Sequence, residues 1–267
     1  MAIRRESANN DIFDTYLSVK FELVKHLKRR RLPIVAALAI IVPLIFYVNV
    51  PDTAGVFAAT VLSFLNILII ISAAMFAGDA VCGEFEKKTS LLLFPTPQRR
   101  STIFAGKYVA ALLATFLVVI LYYLVMTLQI AQLYGWGQIP TELAKSFLTA
   151  LVYSASAVSV VFLFSAILKR SISSTIVGFL FLLMILPIVA TVLMMQANQE
   201  PWFIVTYSAN LIRDVLGVSS SLPFGPGEHG FNLTEFKPNF GVGIAVMAAY
   251  AIVGFVSGMA LAVRKEE

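Results

Sequence analysis

The sequence predicts an all-α membrane protein with six transmembrane helices, and three observations carry that prediction. The chain is 59% hydrophobic and 13% charged, with a mean hydropathy of +0.86, where a soluble domain holds roughly a quarter charged residues. Six apolar runs stand out at 34–50, 54–77, 103–133, 147–168, 172–195 and 240–263, and Lys107 is the one charge inside them. Such runs approach or exceed the ~20 residues a helix needs to cross the hydrocarbon core. The third observation is the placement of charge. Of the 20 Lys and Arg residues, 17 fall on one side of the predicted topology, and only Lys145, Arg213 and Lys237 fall on the other. The positive-inside rule then puts both termini in the cytosol of a multi-pass protein of the cell (cytoplasmic or inner) membrane. The net charge of +5 reports this topology and does not point to nucleic acid.

Residues 1–33 form the first unit, a cytosolic amphipathic connecting helix. Over 11–31, Phe13, Leu17, Phe21 and Val24 recur at spacings of three and four, while Lys20, Lys25, Lys28 and Arg29 to Arg31 supply a basic remainder. This pattern predicts a helix lying in the inner headgroup layer, apolar face down and cations toward anionic lipid. Some thirty mostly polar residues precede the first apolar run without a cleavage pattern after it, so the first span is expected to serve as its own insertion signal.

Residues 34–267 form the second unit, the transmembrane domain. Its first span, 34–50, is short and contains Pro43, tolerable in a buried membrane helix. The third run, 103–133, is too long for a perpendicular crossing and is expected to tilt or project beyond the far surface, where Gln129, Gln132 and Tyr134 appear. Tyr134 and Trp136 read as an outer aromatic belt. The small residues at 154–159, and Gly254 and Gly258 four apart in the last span, predict close helix packing. The external loop, 196–239, begins with Phe203, Ile204, Tyr207, Leu211, Ile212 and Val215 at helical spacing. It is therefore expected to hold one or two short helices in or dipping into the outer leaflet, followed by turn chemistry from Ser219 on. Asn232-Leu233-Thr234 fits the glycosylation pattern but reads better as a turn.

Catalytic signatures are missing. The sequence holds no Gly-x-x-x-x-Gly-Lys-Ser/Thr, no His-Glu-x-x-His and no Gly-x-Ser-x-Gly, so an enzyme is disfavoured and no cofactor is expected. Cys82 is the only cysteine, which excludes an internal disulfide, and His26 and His229 are predicted on opposite sides of the membrane. At membrane depth the spans offer Asn66 and a few Ser and Thr residues, too little for a proton- or sodium-coupled transporter.

The segment 78–102 is the most loaded stretch. Helical spacing there brings Glu84 beside Lys87 and Lys88, and Glu86 close to Thr89 and Ser90. Leu91 to Phe94 add an apolar face too large to leave wet, Pro95 and Pro97 stop the helix, and Gly106-Lys107 forms a hinge into the next span. The acids predict a seat for a soluble partner. The string Asp79-Ala80-Val81, Gly83-Glu84-x-Glu86, Thr89, Leu91-Leu92, Pro97, Arg99, Ile103, Gly106-Lys107 resembles the signature between the second and third helices of ABC type-2 permeases. Within that family it is most similar to small six-helix permeases, such as the one serving maturation of the nitrous oxide reductase copper centre.

The resemblance implies the permease subunit of an ATP-driven exporter, with Gly83, Glu84, Phe85, Glu86, Thr89, Leu92, Pro97, Arg99, Gly106 and Lys107 as the residues that couple to the ATPase. It implies two permease copies, a homodimer, working with cytosolic ABC ATPase subunits that bind the ATP and Mg. It also implies a seam and central path at the first and fifth spans, with Pro43, Asn66 and Pro187 as candidate residues. Uncharged spans suit a hydrophobic, lipid- or peptide-like cargo. A membrane scaffold or anchor that recruits a soluble partner without transport is the alternative of a different class.

Overall fold

A computed structural model describes residues 2–48, 50–86, 100–197, 200–217 and 238–265, with side chains from residue 13 on and that of 197 excepted. Every regular element among them is helical. In chain order these are α1 (Ala2–Lys28), α2 (Arg31–Ile45), α3 (Ala54–Ala77), α4 (Cys82–Glu86), α5 (Arg100–Leu133), α6 (Leu143–Ile167), α7 (Ser171–Gln196), α8 (Val205–Ser208), α9 (Leu211–Asp214) and α10 (Phe240–Arg264). Five of the helices are long and apolar enough to cross a membrane, which marks a membrane-embedded, multi-pass protein. The first apolar run forms only the 15-residue α2, about 22 Å of helix at 1.5 Å per residue.

The core is built by α3, α5 and α6, whose Phe57, Leu65, Ile69, Tyr122, Tyr153 and Phe162 are fully buried. Their outward residues are large and apolar. On α5, Val109, Leu113, Leu117, Ile120, Leu124 and Leu128 make one exposed stripe, a face suited to lipid and not to water. Hydroxyls join the helices across the core, with Tyr122 donating to the Val61 carbonyl at 2.6 Å and Tyr123 sharing a 2.7 Å hydrogen bond with Ser146. In hydrocarbon such bonds are worth about 0.6 kcal/mol each.

Small residues set the closest approach. On α10, Gly254 lies against Ser159 and Gly258 against Phe162 and Leu163 of α6, the close packing that their spacing predicts. In α7 the Leu186 amide reaches back five residues to the Phe181 carbonyl. That wider turn directly precedes Pro187, whose ring cannot sit under a regular helical carbonyl ladder.

Protein contacts define the far end of the bundle. Gln129 is buried on protein, and its Nε2 donates to the Pro43 carbonyl at 3.1 Å. The continuing helix brings Tyr134 to the Pro51 carbonyl, so the end of α5 packs on the α2–α3 turn. The short helices α8 and α9 form where expected, but Ile204, Val205, Tyr207, Leu211 and Ile212 are buried on protein. They close the end of the bundle, where Leu211 fills the space above Gly243 and Ser146 donates to the Ile212 carbonyl.

Candidate functional site

At the opposite end, residues 78–86 form a junction to which six other parts of the chain are tied. The Val81 and Cys82 amides both donate to Ser165 Oγ of α6, at 3.0 and 3.3 Å, which caps the start of α4 with a side chain from another helix. Cys82 is fully buried beneath it, with Sγ 3.3 Å from the Gly78 carbonyl and from Ser165 Oγ. Gly78 lies directly against Thr175 of α7. Phe85 stacks on Phe104 of α5 at 6.4 Å, and Lys265, just past α10, holds its ammonium 5.4 Å from the same ring. Glu86 accepts the Ser171 amide at 2.8 Å, placing a carboxylate at the positive end of α7.

Charge organises the other side of the junction. Glu84 accepts from Lys107 at 2.5 Å and lies 3.7 Å from Lys25 of α1. Lys25 also pairs with Glu22 at 2.6 Å, and Lys107 approaches Glu22 at 3.7 Å. The four side chains thus make a neutral, mostly buried quartet joining α1, α4 and α5. One turn away, Arg31 donates to Asp79 at 2.8 Å and to the Met75 carbonyl at 3.1 Å, with Arg29 3.7 Å from Asp79. Such networks hold only when complete, because a buried charge left alone is costly.

This geometry changes how the predicted coupling residues are read. Glu84 does not stand free on a docking face, and its partners include Lys107 and Lys25. Gly106-Lys107 is no hinge: α5 runs unbroken through both residues, and Gly106 is the contact point for Ser18 and Thr15 of α1. Gly83 is buried, packed on the Asp79 side chain. Thr89, Leu92, Pro97 and Arg99 lie outside the described residues, as do Lys87, Lys88, Ser90, the Leu91 to Phe94 run, Pro95 and Asn232. Pro43, Asn66 and Pro187 sit on three separate helices. Pro43 is buried with its carbonyl taken by Gln129, Asn66 Oδ1 is buried without a hydrogen bond, and Pro187 opens the regular helix after the wide turn of α7.

The sequence reading missed the inward face of α1. Its Thr15, Ser18, Glu22, Lys25 and His26 pack on the bundle, while Phe13, Tyr16, Phe21, Val24 and Leu27 point away. Leu23 also packs on the core, but an outer stripe this apolar is unsuited to water and fits a helix at a membrane interface. Lys20, Lys28 and Arg29 are exposed, but Lys25 is turned into the bundle. The legible signal was Glu22 three residues before Lys25, a spacing that pairs on one helix face.

His26 is the residue whose chemistry stands out. Both ring nitrogens are buried without a hydrogen bond, and the ring sits edge-on to Phe76 at 5.2 Å. Burial pushes its pKa below the ordinary 6.5, against the attraction of Glu22 and Asp79 and with the repulsion of Arg31 and Lys25. The folded protein therefore holds a neutral imidazole that the unfolded chain protonates below 6.5. Its contribution to stability is complete above that pH and is lost as the pH falls through and below it. Thermal unfolding in detergent should show a falling Tm from pH 7 to pH 5, and His26→Phe should flatten that slope. An unchanged slope in the variant would show that other groups set the acid limit.

The chain belongs to the family described as Protein of unknown function (DUF2705), which matches residues 34–263. No curated protein matches it.

Proposed function

We propose that the chain is the permease subunit of an ATP-driven exporter, working as two copies with separate ABC-type ATPase subunits and moving a hydrophobic, lipid- or peptide-like cargo. The observation that carries this reading is the junction at 78–86. A short helix between two long apolar helices is bonded to α1, α5, α6, α7 and the residue after α10. A push on the 87–99 segment that follows would be passed to the whole bundle as a rigid-body tilt. The ATPase contact is assigned to that segment, since Glu84 and Glu86 are engaged internally.

Six crossings are supported by the path of α2. It starts at Arg31 beside Asp79 and ends near Pro43 beside Gln129 of α5, so it runs from the charged end of the bundle to the far end. The basic bias puts the charged end in the cytosol of the cell membrane. The exposed apolar faces of α2 and α7, including Ile34, Ile41, Ile176 and Ile188, leave room for a second copy at those helices.

The chain purified from its own membrane in mild detergent is expected to bring down an ABC ATPase in a two-to-two assembly. ATP hydrolysis should rise when that ATPase is reconstituted with the chain in vesicles. Recovery without a nucleotide-hydrolysing partner, or with a soluble partner that hydrolyses nothing, would sink the transport reading in favour of a scaffold.

A further inference from the structure

The end of α10 returns to the junction through one side chain. Lys265 donates to the Leu168 carbonyl at 2.6 Å and the Ala166 carbonyl at 3.0 Å, with the Ser165 carbonyl at 3.5 Å. These acceptors are left over where α6 ends at Ile167 and Leu168 turns extended, and a cation there also answers the negative end of the helix dipole. The same ammonium lies over the Phe85 ring of α4, a favourable position for a cation on an aromatic face. Ser165 closes the circuit, accepting the Val81 and Cys82 amides through its hydroxyl. The end of α6 is therefore shared by α4 and by the residue that follows α10.

We propose that Lys265 is a positioning residue that locks α4 onto the end of α6, so that α4 and α10 move as one unit. Its consequence for coupling rests on the permease reading, but the lock itself does not. Lys265 anchors α4 from above through Phe85 and anchors α6 through its terminal carbonyls. Without the cation, three carbonyls lose their donor and Phe85 loses its cover, and α4 lifts more often.

Cys82, the only cysteine in the sequence, supplies the readout. Its thiol is buried under α4, so modification by N-ethylmaleimide requires α4 to open. In the full chain in detergent, Lys265→Met should speed that modification about tenfold, the loss of one charged hydrogen-bond set. Lys265→Arg should stay near the wild-type rate, and Phe85→Leu, which keeps the carbonyl contacts, should fall between. Arg264→Met, altering the exposed neighbour, should leave the rate unchanged. Wild-type rates in both Lys265→Met and Phe85→Leu, or an equal acceleration in Arg264→Met, would overturn the lock. The assay needs no ATPase, so its failure leaves the permease reading standing, and the absence of an ATPase partner leaves the lock standing.

Discussion

Replacing Lys107 by methionine should lower stability by about 3–5 kcal/mol, the cost of breaking a buried ion pair by removing one partner, and reduce Tm by roughly 10 °C. The loss removes the closest described cation from Glu84, and Lys25 lies farther off at 3.7 Å. Lys25 is already held by Glu22 at 2.6 Å. The double variant Lys107→Met/Glu84→Leu should recover most of the loss. It removes one acid and one base from a neutral quartet and leaves the Glu22–Lys25 pair intact. Thermal or SDS unfolding of the purified chain checks both. A double variant as unstable as the single would mean that the side chains pack there by shape and not by charge. Glu84→Lys, which adds a third cation to the quartet, should be less stable still, so its loss of function could not be read as lost docking.

Gly254→Ile should be the most damaging single change in the last helix. A β-carbon at 254 would sit 2.9 Å from Ser159 Cβ and 3.0 Å from its carbonyl carbon. The obstruction is partly backbone, so it cannot rotate away. Overpacking typically costs 1–3 kcal/mol, and here about 3 kcal/mol or more is expected because α10 must slide off α6. That displacement would also carry Lys265 away from the end of α6 and break the 2.8 Å hydrogen bond between Tyr108 and Ser159. Gly137→Ala, with nothing near the added carbon, is the matched control and should leave Tm unchanged. Equal Tm values for the two variants would refute the tight α6–α10 contact.

The helices and their apolar character were legible because a membrane span writes its length and hydropathy directly into consecutive residues. Gly254 and Gly258 were legible for a related reason: spacing on one helix reports what that helix presents. The partner of Gln129 was not legible by the same logic, since a polar residue near a helix end reads as solvent-seeking until a neighbour's carbonyl claims it. That neighbour is Pro43, 86 residues away in sequence. Glu84 was assigned to a partner because its sequence neighbours, Lys87 and Lys88, are local, whereas Lys107 and Lys25 come from other helices.

By itself the sequence determined that this is a helical protein embedded in a membrane and where its long apolar runs lie. Those properties depend on composition and on periodicity within a single helix. The tertiary structure decided which charges pair, that α1 turns its polar face inward, that α8 and α9 close the end of the bundle, and that Lys265 meets Phe85. Each of these depends on contacts between distant segments, where geometry across helices chooses among partners that the local pattern leaves equivalent.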